Sequence, residues 1–367
     1  MDEIIISGWI FDDNAPEQFF RGYVVIDKEQ KVIEIGKGKP KNTDIYGIVT
    51  PVLFNAHTHI GDCIYTPEIT GSFDDVVGFP HGLKYQVMKS EPSQKRVAIY
   101  KKEIEHLARL GIGSITDFRE EGLNGIKLIK SAFREQLVNG IILGRPLKNE
   151  YNHDELRKIL NSCEGIGISA MEYWNYDELK KVSVHTKKEK KIFGLHVSEA
   201  KRDNIDQVLD LKPDFVVHCL KATESDIERL AQENVPVIIC ARSNLLFGEK
   251  PPINRLLKYK IRIMLGTDNF MLTYPDLFRE LEIVYRLTKL DGGYISPKSL
   301  LQSVITIPAE TFNIKNRVGI NVGEQLRALV FALDGDNPAY KIVVNGAPEK
   351  IIYNSLLVKK LKVNRER

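Results

Sequence analysis

The feature that most constrains this chain is a repeat of short apolar, β-branched runs, each ending in polar or charged residues. The runs cover residues 48–54, 114–118, 140–144, 165–171, 191–195, 215–217, 236–240 and 261–266. From the second run onward they recur about every 25 residues, the length taken by a strand, a helix and two short loops. Helical patterns fill the gaps. Ser93 can cap a helix with Val97, Tyr100, Ile104, Leu107 and Ala108 on one face, and Thr223 with Asp226 forms a capping-box pattern ahead of Ile227, Leu230 and Ala231. Residues 275–287 and 297–305 each open on a proline, which suits the first turn of a helix. Eight alternating units of this kind predict an α/β fold, a parallel (β/α)8 TIM barrel wrapped by helices.

The ends break the pattern. Residues 1–49 and 319–367 alternate as short strands with glycine turns at Gly22, Gly36, Gly38, Gly319, Gly323 and Gly346. The expectation is a small β-sandwich built from both ends around a barrel of residues 50–318. The interval between the first two runs is long and leaves an insertion at 61–92. Its Gly-, Asp- and Phe-rich stretch 72–80 is a candidate lid.

Composition excludes several classes. With 367 residues, 43% hydrophobic and 28% charged, the chain is a soluble globular protein large enough to bury its own core. A net charge of +3 gives no footprint for a nucleic-acid partner. No apolar run approaches the roughly 20 residues of a membrane span, and the N-terminus lacks a signal-peptide pattern. Cys63, Cys163, Cys219 and Cys240 are scattered without a C-x-x-C pair, as expected of a reduced, cytoplasmic protein.

In a parallel barrel the functional residues stand at the C-terminal ends of the strands. Those ends supply His57, His59, His196, His218 and Asp268, four of the chain's eight histidines among them. His57-x-His59 puts two imidazoles on one side of an extended strand, because side chains repeat with period two. With His196 and Asp268 they make a nitrogen-rich, thiolate-free set for one divalent metal, zinc first and iron(II) or manganese as alternatives. Glu199, three residues beyond His196, is read as a general acid/base; the competing reading is a helix N-terminal carboxylate favoured by the dipole.

These motifs have a familiar order. Thr50-Pro51-Val52-Leu53-Phe54-Asn55-Ala56-His57-Thr58-His59 resembles the first metal-binding strand of the amidohydrolase superfamily. His196-Val197-Ser198-Glu199, Val217-His218-Cys219 and Leu265-Gly266-Thr267-Asp268 resemble its later strand motifs, and Cys240-Ala241-Arg242-Ser243-Asn244-Leu245 a segment of its cytosine-deaminase-like and chlorohydrolase-like branch. Pro308-Ala309-Glu310 resembles the helix that follows the barrel, and residues 319–334 the return to the terminal domain. The resemblance implies a mononuclear site, since the fourth run lacks the lysine that bridges two metals. Two departures stand out: Cys240-Ala241 replaces the usual Cys-Pro, and the C-terminal Ala-Asp-Leu is degraded around Arg327-Ala328-Leu329.

The resemblance implies a hydrolytic deaminase of a cyclic amidine on a small heterocyclic substrate. Metal-activated water attacks the ring carbon, His218 and Asp268 orient it, Glu199 shuttles the proton and ammonia leaves. Cyclic-amide hydrolysis or ring dechlorination on the same metal is the alternative, and a non-catalytic binding barrel a more remote one. Expected substrate contacts are Arg119, Arg145 and Glu172 at strand ends, Lys84 in the insertion, and Ser243 and Asn244. Arg119 has a second reading as the partner of Asp117, Glu120 or Glu121, and His81 and Asn269 are further candidates at the mouth. Family members often form dimers, so a homodimer is the assembly the resemblance implies.

Overall fold

In a computed structural model of the protein, residues 3–15, 18–314, 320–353 and 356–358 are described. Gly319, expected at the return to the terminal domain, lies outside them, as do residues 1–2 and 359–367 of that expected domain.

Eight parallel strands form the barrel: Leu53–His59, Ile112–Arg119, Asn139–Gly144, Gly165–Ile168, Ile192–Val197, Phe215–His218, Val237–Ile239 and Ile263–Leu265. The ring closes through Asp268–Asn269, which pairs with Thr58 and His59 of the first strand. The last link of the barrel is therefore also the junction of candidate ligands from its first and last strands. Inside the ring, Phe54, Phe118, Phe215, Val217, Ile238 and Met264 pack together, and Phe312 plugs the far end against Phe54 and Phe215. A filled interior leaves chemistry only to the open mouth.

The helices form near where their patterns predict, but Leu277–Leu290 starts after Pro275 with Asp276 at its N-cap, and Pro297–Gln302 ends before residue 305. Ser93–Arg109 buries Tyr100, Ile104, Leu107 and Ala108 against the barrel, although Pro92, not Ser93, stands at its N-cap. Glu224–Gln232 carries the capping box of Thr223 and Asp226, each side chain accepting from the other's backbone N–H.

The run at 48–54 is not one strand. Ile45–Pro51 belongs to a second sheet, and the chain crosses at Val52 into the first barrel strand. Apolar β-branched character continues through the crossing because both sheets are buried there, so hydropathy alone does not mark the break. The second sheet has seven strands from both ends of the chain, with Arg327–Phe331 beside Ile45–Pro51. Val32 donates its N–H to Glu324 O at 2.8 Å and Leu326 to Gln30 O at 2.8 Å, so the sheet curls back on itself. It encloses its own core of Ile6, Ile10, Val24, Ile26, Val49, Val330 and Ile352.

The insertion is ordered into helices Phe73–Val77, capped by Ser72, and Leu83–Ser90, and it lies over the barrel mouth. No helix of the described residues is long and apolar enough to cross a membrane, and all four cysteines are free thiols.

Candidate metal centre

Four strand ends aim side chains at one point. Ligand atoms of His57, His59, His196 and Asp268 all lie within 4.8 Å of one another, and all four residues are buried. Pairing between the first and second strands slips between Asn55 and Thr58, at the first two histidines. A bulge of this kind beside a site re-aims side chains. The eighth strand comes so close that a Cβ on Gly266 would sit 2.7 Å from His57 Cβ, so only glycine fits there. His218 and Asp268 hold left-handed backbone, φ +74° and +61°. Non-glycine residues persist in that region only where the surroundings enforce it, and they cluster at functional sites.

Hydrogen bonds set which ring nitrogens face inward. His196 Nδ1 donates to Ile168 O at 2.9 Å, and His59 Nδ1 lies 3.3 Å from Glu120 Oε1. With Nδ1 carrying the proton in both rings, both Nε2 lone pairs face the cluster. His57 Nε2 stands 3.1 Å from His196 Nε2 and 3.4 Å from Asp268 Oδ1. His59 Nε2 is 3.7 Å from the same Oδ1. Ser243 Oγ donates to Asp268 Oδ2 at 2.6 Å, leaving Oδ1 as the carboxylate's inward atom. A buried knot of three imidazole nitrogens and one carboxylate oxygen is rich in electron pairs and short of protons. It fits a divalent cation with nitrogen and oxygen ligands, and the Nδ1 partners are the kind that hold metal-binding histidines in orientation.

The electrostatics agree. Burial lowers the His57 ring to about 4 despite the pull of Asp268, and burial with its imidazole neighbours holds His196 well below the usual range. Burial alone would raise the Asp268 carboxyl, but the hydrogen bond and charges of the surrounding imidazoles outweigh it and hold it well below. Glu199 behaves oppositely: burial, and then the charge of Asp268, pushes its carboxyl well above the carboxylate range. Its Oε1 approaches His218 Nε2 to 3.2 Å. Asn244 Nδ2 donates to His218 Nδ1 at 3.2 Å, which places that ring's proton on Nε2.

The expected substrate residues divide. Lys84 and Glu172 line the cavity of about 80 Å³ above the cluster, together with Phe73, Phe79, Tyr85, Glu199 and Asn269. Ser243 and Asn244 border an adjoining cavity of about 480 Å³ that shares Phe73 and Glu199 with the first. Arg119 does not reach either wall. It is buried against Asp117, Nε to Oδ2 at 3.0 Å, because the neighbouring carboxylate claims its guanidinium. Arg145 stands behind the wall, donating to Ser169 Oγ and to Tyr85 OH. His81 is exposed. Asp62, which sequence reasoning passed over, and Glu120, named there only as a possible partner of Arg119, bind Lys84 at 3.1 and 2.8 Å. Glu120 follows Arg119 at the end of the second strand, so strand-end position alone pointed to it.

A family model described as the amidohydrolase family matches residues 48–356. An uncharacterised protein of Methanocaldococcus jannaschii is 32% identical over 85% of this chain and 83% of its own. A 5-methylthioadenosine/S-adenosylhomocysteine deaminase of Caldicellulosiruptor saccharolyticus is 22% identical over 73% of this chain and 69% of its own. Among solved structures, an atrazine chlorohydrolase of Arthrobacter aurescens complexed with zinc superposes with a TM-score of 0.78 at 12% identity, covering 97% of this chain and 95% of that one, a likeness of fold. With the histidine–aspartate cluster at the barrel mouth and the family match over most of its length, this chain belongs to the amidohydrolase family and is a hydrolase acting on carbon–nitrogen bonds.

Proposed function

We propose that the protein is a hydrolytic deaminase of a cyclic amidine on a small heterocycle, an aminopurine, aminopyrimidine, nucleoside-like or pterin-like ring. The observation that carries this reading is the Glu199 carboxyl. It stands in the cavity wall beside the histidine cluster, 3.2 Å from His218 Nε2, and its surroundings favour the protonated form. A carboxyl kept protonated at the mouth of such a site is suited to deliver a proton to a ring nitrogen.

His57, His59, His196 and Asp268 would hold the metal, zinc first, with iron(II) or manganese as alternatives. When bound, it polarises water for attack near neutral pH. Asp268 Oδ1 and His218 Nε2 flank the approach and orient the water, and Asp268 takes up its proton. Ser243 keeps the Asp268 carboxylate from turning. Glu199 protonates the ring nitrogen beside the attacked carbon, so negative charge does not accumulate on the ring; the proton taken up by Asp268 passes to the exocyclic amine, the carbon–nitrogen bond breaks to release ammonia, and the hydroxyl proton returns to Glu199 as the carbonyl forms. Both lysines of the cavity wall are already paired, Lys84 with Asp62 and Glu120 and Lys201 with Glu172, which favours an uncharged ring over a phosphorylated one. The deaminase relative supports the same reaction class.

The same reading keeps the catalytic barrel, expected at 50–318, and the small sandwich, expected at 1–49 with 319–367, and moves their first boundary to Val52, supported by the curled terminal sheet and its separate core. A homodimer is the proposed assembly.

The test is ammonia release by zinc-loaded protein across aminopurines, aminopyrimidines, their nucleosides, pterins and aminotriazines. Release from one class, lost in His57→Ala, is the expected outcome. Silence with one metal bound per chain would overturn the deaminase reading. Ring-opened product or halide would then identify amide hydrolysis or dechlorination.

A further inference from the structure

Lys84 comes from the second helix of the insertion, and its ammonium is buried between two carboxylates, Asp62 at the insertion's start, just past the first strand, and Glu120, just past the second. It lies 3.1 Å from Asp62 Oδ2 and 2.8 Å from Glu120 Oε1, with all three residues at most 5% exposed. Glu120 Oε1 is also the atom that faces His59 Nδ1 at 3.3 Å. Asp62 Oδ2 in turn accepts from Asn269 Nδ2 at 2.6 Å, the residue after Asp268. One ammonium thus ties the insertion to the partners of the first and eighth strand ends. The rest of the insertion rests on other strand ends: Tyr85 on Arg145, Phe79 against Tyr173, Phe73 against Phe247.

The cavity beneath the insertion is about 80 Å³, and the adjoining one of about 480 Å³ shares Phe73 of the insertion and Glu199 with it. A heterocycle in either space therefore lies against the insertion. Moving it withdraws Lys84, leaving Asp62 without that ammonium and Glu120 with Arg119 Nη2, at 3.7 Å, as its remaining cation. Glu120 is then free to turn away from His59 Nδ1, and the ring loses the partner that orients it.

We propose that Lys84 is a positioning residue, a latch through which closure of the insertion and metal binding by His59 strengthen each other. The proposal rests on the metal reading above but not on the reaction. Coupling of this kind is reciprocal: the factor by which closure tightens metal binding is the factor by which metal favours closure.

The experiment compares amide hydrogen exchange over residues 71–90 in metal-stripped and zinc-loaded full-length protein, with zinc affinity measured by chelator competition. In the wild type, zinc is expected to slow exchange in this segment at least about tenfold. Lys84→Met is expected to exchange rapidly in both states and to bind zinc about 10–100-fold more weakly, the usual cost of losing a group that orients a metal ligand. Equal exchange with and without zinc in a wild type that binds it would overturn the latch and leave the metal site standing. Unchanged zinc affinity in a folded Lys84→Met would also overturn it. Failure of the wild type to bind zinc, iron(II) or manganese would overturn the metal reading and the latch together. If Lys84→Met does not fold, the wild-type comparison decides by itself.

Discussion

Two buried clusters share His59 and differ in their charge balance. On one side of the ring, His57, His196 and Asp268 gather lone pairs around a point with no internal cation. On the other side, Asp62, Glu120 and Asp117 stand with Lys84 and Arg119, so each carboxylate has a resident positive neighbour. Both clusters are buried. The difference teaches why one is a centre for chemistry and the other a frame. A cluster that carries its own cations is complete, whereas one that lacks them is completed by what binds. Burial alone does not separate them; the proton and charge count does.

Three changes sharpen this contrast, from the largest effect to the smallest. Glu199→Gln keeps the side chain's shape and removes its acid. Metal content is expected to stay the same while turnover falls about 10²–10⁴-fold, the range for loss of a general acid. Metal analysis beside steady-state rates checks this, and unchanged turnover would remove Glu199 from the reaction.

The second change is pH in the metal-stripped protein. The unfolded His57 ring takes up a proton below 6.5, the folded one only near about 4. Between those values the unfolded state binds more protons, so stability is present above pH 6.5 and is lost as pH falls toward 4. His57 alone accounts for a loss on the order of 3 kcal/mol across that window. Urea midpoints at pH 7 and pH 4.5 measure it, and zinc loading at pH 7 should raise the midpoint. A flat profile would show that the ring is not held neutral by burial.

The smallest change leaves both clusters alone. Thr223→Ala removes one side of the capping box on Glu224–Gln232, a helix that supplies no residue to either cluster. It should cost about 1 kcal/mol of stability, seen in the denaturant midpoint, with turnover unchanged. A loss of turnover would mean that the outer helices and the site are less independent than the two clusters suggest.

The ligand candidates were legible because strand-end position and the His-x-His spacing are local properties of the chain. The capping box at Thr223 was legible for the same reason. Arg119 shows the limit. Its strand-end position put it among substrate contacts, but its charge is satisfied by Asp117 two residues earlier, on the same strand. Asp62 carried no local signal, since its value comes from Lys84 22 residues away and Asn269 207 residues away. The break at Val52 was hidden because two sheets with equal hydrophobicity meet there without a turn.

What the sequence determined by itself was the period of the β/α units, and with it a barrel and the set of residues at its open end. Repetition and side-chain alternation are written residue by residue, so they survive without coordinates. What only the tertiary structure decided was pairing across the ring. It showed which lone pairs converge, that Ser243 holds Asp268, that Lys84 reaches Glu120, and that Asp268–Asn269 closes the barrel on the first strand. Those contacts depend on which strand ends become neighbours when the ring closes, and distance along the chain does not encode that.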